Sequence, residues 1–133
     1  MNRTLPTQNE ILKIFQPTER GVLGLVDDLL GLCGEDGIQL DWQAERCSVH
    51  RLGDATGEPI AVPLPKSVFR AMLARIAALC NEHCPNSVSP YGGRAELVGT
   101  ESPALFQATF TNTRAEQKLV LTRLQPMVTA PNS

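Results

Sequence analysis

Aromatic side chains are scarce in this chain, with one Trp, one Tyr and four Phe among 133 residues. Its core must come from Leu, Val, Ile and Ala, the ordinary filling of helices laid on a sheet. Basic excess is missing too. Twelve Lys and Arg stand against fourteen Asp and Glu, a formal charge of -2, without the surplus that phosphate-backbone contacts call for. Nucleic acid is therefore not an expected partner. No apolar run reaches the roughly 18 to 20 residues that span a bilayer, and the opening Met1 to Pro6 lacks the apolar core of a signal peptide. No membrane insertion is expected, and the expected location is the cytoplasm.

Nucleotide-binding signatures are wanting as well. A P-loop needs Gly-Lys followed by Ser or Thr, and none of Lys13, Lys66 and Lys118 follows a glycine. There is no G-x-G-x-x-G. The four cysteines, Cys33, Cys47, Cys80 and Cys84, are even in number, but without an export signal they are expected as free thiols. No cofactor is expected.

What is present suffices for one hydrophobic core, since 42% of the residues are apolar. The pattern divides into an N-terminal arm with a short helix over 1–17, a single α+β domain over 18–125 and a disordered tail over 126–133. In the arm, Thr7 and Glu10 have capping-box spacing and predict a helix from Gln8 to Phe15, ended by Pro17. Thr18 is placed to cap a second helix, whose Val22, Val26, Leu29, Leu30 and Cys33 recur on one face. Gly21, Gly24 and Gly31 weaken that helix, and Gly34 suits its C-terminal cap.

The period then changes from 3.6 to 2. Ile38, Leu40 and Trp42 alternate with Gln39 and Asp41, as on a strand with one buried face. Gln43 to Glu45 reads as a hairpin loop, and Arg46 to Leu52 as the returning strand, with Cys47, Val49 and Arg51 on one face. A turn follows from Gly53 to Gly57, then a short strand from Pro59 to Val62. Beyond Pro63 and Pro65, Ser67 is the expected cap of a long helix with a Val68, Met72, Ile76, Leu79 and Cys80 stripe, widened by Phe69 and Leu73 and stopped at Cys84-Pro85. Irregular chain from Asn86 leads into strands at Arg94 to Val98, Ala104 to Thr111 and Gln117 to Leu124. Tight turns make neighbouring strands antiparallel. The expected fold is α+β, an antiparallel sheet of about five to six strands with two main helices on one face.

Few side-chain constellations could carry chemistry. Cys80, His83 and Cys84 lie three and four apart at the end of the long helix, on one side of consecutive turns. They are a candidate zinc cluster, with His50 or Cys33 as fourth ligand. Against this, Cys80 continues the apolar stripe, His83 suits a helix C-terminus, and C-x-x-C spacing is absent. No metal is expected. Cys47 and His50 are close in sequence, but residues three apart on a strand point to opposite faces, which disfavours a nucleophile–base pair. Asp27-Asp28 and Glu35-Asp36 diverge from each other and read as solvated pairs. Tyr91-Gly92-Gly93-Arg94 reads as a turn opening a strand, with glycine where φ is positive, and alternatively as a backbone nest for an anion beside Arg94. No catalytic residue is identified and an enzyme is not expected.

From Ser89-Pro90-Tyr91-Gly92-Gly93-Arg94 onward the chain resembles the N-terminal, PAS-like domain preceding the motor of type II secretion and type IV pilus assembly ATPases. That family writes this stretch R-x-P-Q-D-G-R, matched at Pro90, Gly93 and Arg94. Gln107 to Lys118 is similar to the family's R-V-S-T-x-P-T-x-x-G-E-K at Thr113 and Lys118, and Leu119 to Leu124 to its closing V-V-L-R-L-L with one residue added. Upstream, Gly37-Ile38-Gln39-Leu40-Asp41 stands at S-D-I-H-I-E-P, and Val62 to Lys66 precedes a matching long helix. The resemblance runs in order from Gly21 to Leu124.

The departures have a direction. Asp-Ile-His has become Gly37-Ile38-Gln39, only Arg51 with Gly53-Asp54 survives of the R-x-R-x-D-G hairpin, and the Arg of R-V-S-T is Gln107. In the family, arginines of this domain reach toward nucleotide on the motor, and most of those charges are replaced here. The resemblance implies a degenerate, stand-alone copy without a motor, a non-catalytic protein-interaction module of a secretion or pilus system. Arg94, Arg123, Arg51 and Gly93 are then the expected polar contacts to a partner or anion. The expected partner is a secretion or pilus assembly protein, and a homodimer is a further expectation. Two alternatives are a small acidic type III secretion-like chaperone, which would end in a helix, and a PAS-like sensor, which would hold an apolar pocket between helix and sheet.

Overall fold

The computed structural model describes residues 6–16, 21–54, 57–99 and 104–126. The Thr7 hydroxyl accepts from the Glu10 N–H at 3.1 Å, and the Glu10 carboxylate accepts from the Thr7 N–H at 2.8 Å. This capping box satisfies two free donors and starts α1, Gln8–Ile14, close to where the sequence puts it. Pro17 and Thr18, the expected stop and cap, lie outside the described residues. α2 spans Gly21–Leu32 and, of the expected stripe, buries Val26, Leu29 and Leu30, with Cys33 buried just beyond its end and Val22 only half-buried.

The first three strands form a meander of β1 (Ile38–Gln43), β2 (Arg46–Arg51) and β3 (Ile60–Val62). Gln43 pairs with Arg46, so the hairpin loop is Ala44-Glu45 alone. Both residues have positive φ, 53° and 63°, the backbone of a two-residue type I′ turn that matches strand twist. α3 (Lys66–His83) crosses from β3 to a second meander, β4 (Gly92–Val98), β5 (Ala104–Asn112) and β6 (Gln117–Pro126). The strand order is β3-β2-β1-β6-β5-β4, antiparallel throughout. Pairing of β1 with β6 joins the two meanders, with Leu40 opposite Leu119 and Ile38 opposite Leu121.

All four of those side chains are buried, together with Cys47, Val49, Phe106, Ala108 and Phe110 on the same sheet face. α2 and α3 cover that face, α3 burying Phe69, Met72, Leu73, Ile76, Ala77, Leu79 and Cys80. Each large apolar side chain removed from water contributes about 1.5–3 kcal/mol, so this layer is the main source of stability. Ile11 of α1 and Phe15, its C-cap, join the same core. The fold is thus α+β, with helices packed on a six-stranded antiparallel sheet. The other sheet face carries alternate residues such as Gln39, Asp41, His50, Lys118, Thr109 and Arg94, half-buried or exposed.

Several local expectations are corrected. Ser67 does not cap α3: Pro65 occupies the N-cap position without a side-chain hydrogen bond, its φ of -65° leading the chain in from extended backbone. Val68 is only half-buried, and Ala77 takes a buried place on α3 that the expected stripe omits. Gly34 is not in the left-handed conformation; its carbonyl accepts from the Gly37 N–H, and Gly37 has the positive φ of 94°. Gly92 and Gly93 have φ of 152° and 155° but stand inside β4, paired with Thr111 and Phe110. β6 runs to Pro126, past the expected end at Leu124; the remainder of the expected tail lies outside the described residues. So does the middle of the expected turn, 55–56.

Candidate functional site

The described residues have two surface features of note, a polar network on the uncovered sheet face and a cleft between the helices. In the network, adjacent antiparallel strands place Asp41 of β1 across from Ser48 of β2 and Lys118 of β6. Gln39, two residues before Asp41 and hence on the same face, donates from Nε2 to Asp41 Oδ2 at 3.0 Å. His50 Nε2 lies 3.5 Å from Asp41 Oδ1. Sequence reasoning missed this cluster, because Asp41 and His50 become neighbours only through the β1–β2 register. It is a half-buried cluster of polar side chains on the sheet surface, with Asp41 the acceptor at its centre.

Cys47 and His50 occupy opposite faces, as the period of two requires: Cys47 is in the core and His50 beside Asp41. Burial, with a smaller contribution from the nearby Asp41 carboxylate, pushes the Cys47 thiol up to about 12. That thiol is a packing group, because a nucleophile needs its pKa lowered. Cys33 is raised to about 12 by burial, which outweighs the opposing influence of Arg123, and its Sγ donates to the Leu121 carbonyl at 3.3 Å. Cys80 is raised to about 11 by burial.

The Cys80, His83 and Cys84 spacing is not brought to one point. Cys80 is fully buried on the inner face of α3, whereas His83 and Cys84 are exposed at its end. Among the described residues, no group of three or more His, Cys, Asp or Glu is placed to hold a metal ion. Asp27, Asp28 and Asp36 are half-buried, a departure from the solvated pairs expected, and Glu35 is exposed.

The structure gives the candidate contact residues different surroundings. Arg51 turns inward: its Nη1 donates to the Pro6 carbonyl at 3.0 Å and its Nη2 meets Asp54 Oδ2 at 3.3 Å, tying the chain before α1 to the turn after β2. Arg123 is half-buried beside the end of α2, with its backbone N–H donating to the Gly34 carbonyl at 3.1 Å. Its buried Nε has no hydrogen-bond partner among the described residues. Gly93 packs closely on Val88, so that a Cβ there would lie 2.8 Å from Val88 Cγ1. Arg94 is exposed on the uncovered face, its Nη2 donating to Gln107 Oε1 at 3.4 Å. The Gly92 N–H, a donor the anion nest would need, is already given to the Ser89 carbonyl.

The loop leading to this corner is built by a residue that periodicity does not mark. Asn81 Oδ1 accepts from the Ser87 N–H, the Ser87 hydroxyl and the Val88 N–H at 2.8–3.1 Å, and its Nδ2 donates to the Val88 carbonyl. One amide side chain thus anchors the chain between α3 and β4.

The cleft, about 290 Å³, is lined mainly by apolar side chains including Ile14, Phe15, Val22, Leu25, Leu64 and Val68. It lies between α1, α2 and the start of α3, and not between a helix and the sheet. Among the described residues no helix is long and apolar enough to cross a membrane. Comparison with protein-family models, with curated proteins and with solved structures returns no match.

Proposed function

We propose that this chain is a non-catalytic protein-interaction module, a degenerate relative of the N-terminal domain of secretion and pilus assembly ATPases, acting in the cytoplasm on a component of such an assembly. The observation that carries the reading is the contrast among the arginines singled out by the resemblance. Arg51 is spent on internal contacts and Arg123 is half-buried, which leaves Arg94 exposed on a polar sheet face that none of the described helices covers. The order of elements supports it: from α2 onward, helix, three strands, helix and three strands follow one another as in the resemblance, and Gly93 and Arg94 follow Gly92 at the start of β4. The raised thiols of Cys33, Cys47 and Cys80 suit packing and not chemistry.

The test is direct binding, by calorimetry or biolayer interferometry, between the purified chain and the assembly ATPases and inner-membrane platform proteins encoded in its own genome. Binding to one of them, weakened roughly ten-fold or more by Arg94→Glu through charge reversal, is expected. Failure to bind any of them removes the reading.

A further inference from the structure

The edge of the sheet at β4 has a symmetry of its own. The hydrogen bonds Asn112 N–H to Tyr91 carbonyl and Gly99 N–H to Ala104 carbonyl fix which residues of β4 serve β5: the odd-numbered ones. The even-numbered residues turn their N–H and C=O groups to the open edge. Gly92 has its N–H there taken by Ser89, which folds back beside it as an isolated bridge. Arg94, Glu96 and Val98 have no backbone partner on that side among the described residues. The free edge is therefore five residues long and centred on Glu96. The opposite edge, β3, has three residues and is flanked by Pro59 and Pro63.

We infer that this edge pairs with a second copy of the chain, antiparallel, about a two-fold axis at Glu96. In that register Arg94 pairs with Val98 of the second copy and Glu96 with itself, and every free N–H and C=O of the three residues gains a partner. The register shifted by two, with Arg94 directly opposite Glu96, drives Val98 of the second copy into the place held by Ser89 beside Gly92. Charge is compatible with the unshifted register. Arg94 and Glu96 share the uncovered face, so each carboxylate has its own Arg94 two residues away and the other copy's Arg94 on the diagonal. Two guanidiniums offset the repulsion between the facing carboxylates. Five residues of edge bury well under the roughly 800 Å² per partner of a standard interface, so the dimer is weak and concentration-dependent.

Sedimentation equilibrium on the purified chain tests this, alongside Glu96→Pro and a cross-linking variant. Because the Glu96 N–H faces away from β5, proline there removes only edge donors. The dimer loses two symmetry-related hydrogen bonds, and association is expected to weaken roughly ten-fold while circular dichroism stays unchanged. In a Cys84→Ser background, Glu96→Cys is expected to form an intermolecular disulfide, because facing residues of a hydrogen-bonded pair lie about 5.5 Å apart. Thr109→Cys, exposed on the same face one strand inward, is expected not to. A chain that stays monomeric up to about 1 mM overturns the inference. So does a Glu96→Pro variant that is folded and self-associates as tightly as the parent, or cross-linking at position 109 in preference to 96.

Discussion

Arg70 and Asn112 exchange two hydrogen bonds across 42 residues of sequence: Arg70 Nε donates to Asn112 Oδ1 at 3.0 Å, and Asn112 Nδ2 donates to the Arg70 carbonyl at 3.3 Å. They tie the first turns of α3 to the end of β5, where Asn112 is a buried polar side chain. Asn112→Ala strands the half-buried Arg70 guanidinium without that acceptor and is expected to cost ~1–3 kcal/mol. A double-mutant cycle with Arg70→Ala, read by urea denaturation, should return a coupling of at least ~0.5 kcal/mol. Strict additivity would show that the pair contributes nothing.

Gly37 and Gly31 make opposite predictions for the same substitution. At Gly37, with φ of 94°, a Cβ would stand 2.6 Å from Thr122 Cγ2 and 3.0 Å from the Leu121 carbonyl oxygen, so alanine meets both backbone strain and a clash. Gly37→Ala is expected to destabilise by ~2 kcal/mol or more. Gly31 lies in α2 with nothing within 4 Å of a Cβ, and Gly31→Ala should stabilise by ~0.5–1 kcal/mol. Thermal melts of the two variants should move in opposite directions.

The loop between α3 and β4 depends on Asn81. Asn81→Ala removes the acceptor of the Ser87 and Val88 N–H groups and is expected to cost ~1–3 kcal/mol. Amide exchange should rise at Ser87 and Val88 while Leu40 and Leu121, in the middle of the sheet, keep their protection. Unchanged exchange at Val88 would contradict the anchoring role.

The buried thiols make stability depend on alkaline pH. Cys33 and Cys47 are raised from an ordinary 9.0 to about 12 and Cys80 to about 11, in each case chiefly by burial. The unfolded chain therefore releases these protons first, and the stability they confer is whole below pH 9 and lost as pH rises through 11 to 12. Urea midpoints should fall above pH 9, and Cys47→Ala, though less stable at neutral pH, should fall less steeply. Near pH 8, Ellman's reagent should titrate Cys84 quickly and the other three only after denaturation.

Local features were legible in the sequence. The Thr7–Glu10 capping box, the strand alternation of Ile38 and Leu40 and the core stripe of α3 each rest on neighbours a few residues apart, where spacing and geometry are one statement. Chain termini of elements were less so. Ser67 has the chemistry of a cap, but Pro65 fixes an extended backbone just ahead and the helix begins at Lys66, two residues too early for Ser67 to serve. Gly34 has the freedom to close α2, yet Gly37 makes the tight turn because Leu121 and Thr122 of β6 crowd it.

The sequence by itself determined a single α+β layer, its helices and the strands of its two meanders, because apolar residues repeat with the period of the element they must bury. Only the tertiary structure decided that β1 pairs with β6, that Asp41 meets His50, that Asn112 meets Arg70, and that of the three arginines Arg94 faces outward while Arg51 turns in. Those outcomes depend on strand register and on contacts between residues far apart in the chain, which no local period encodes.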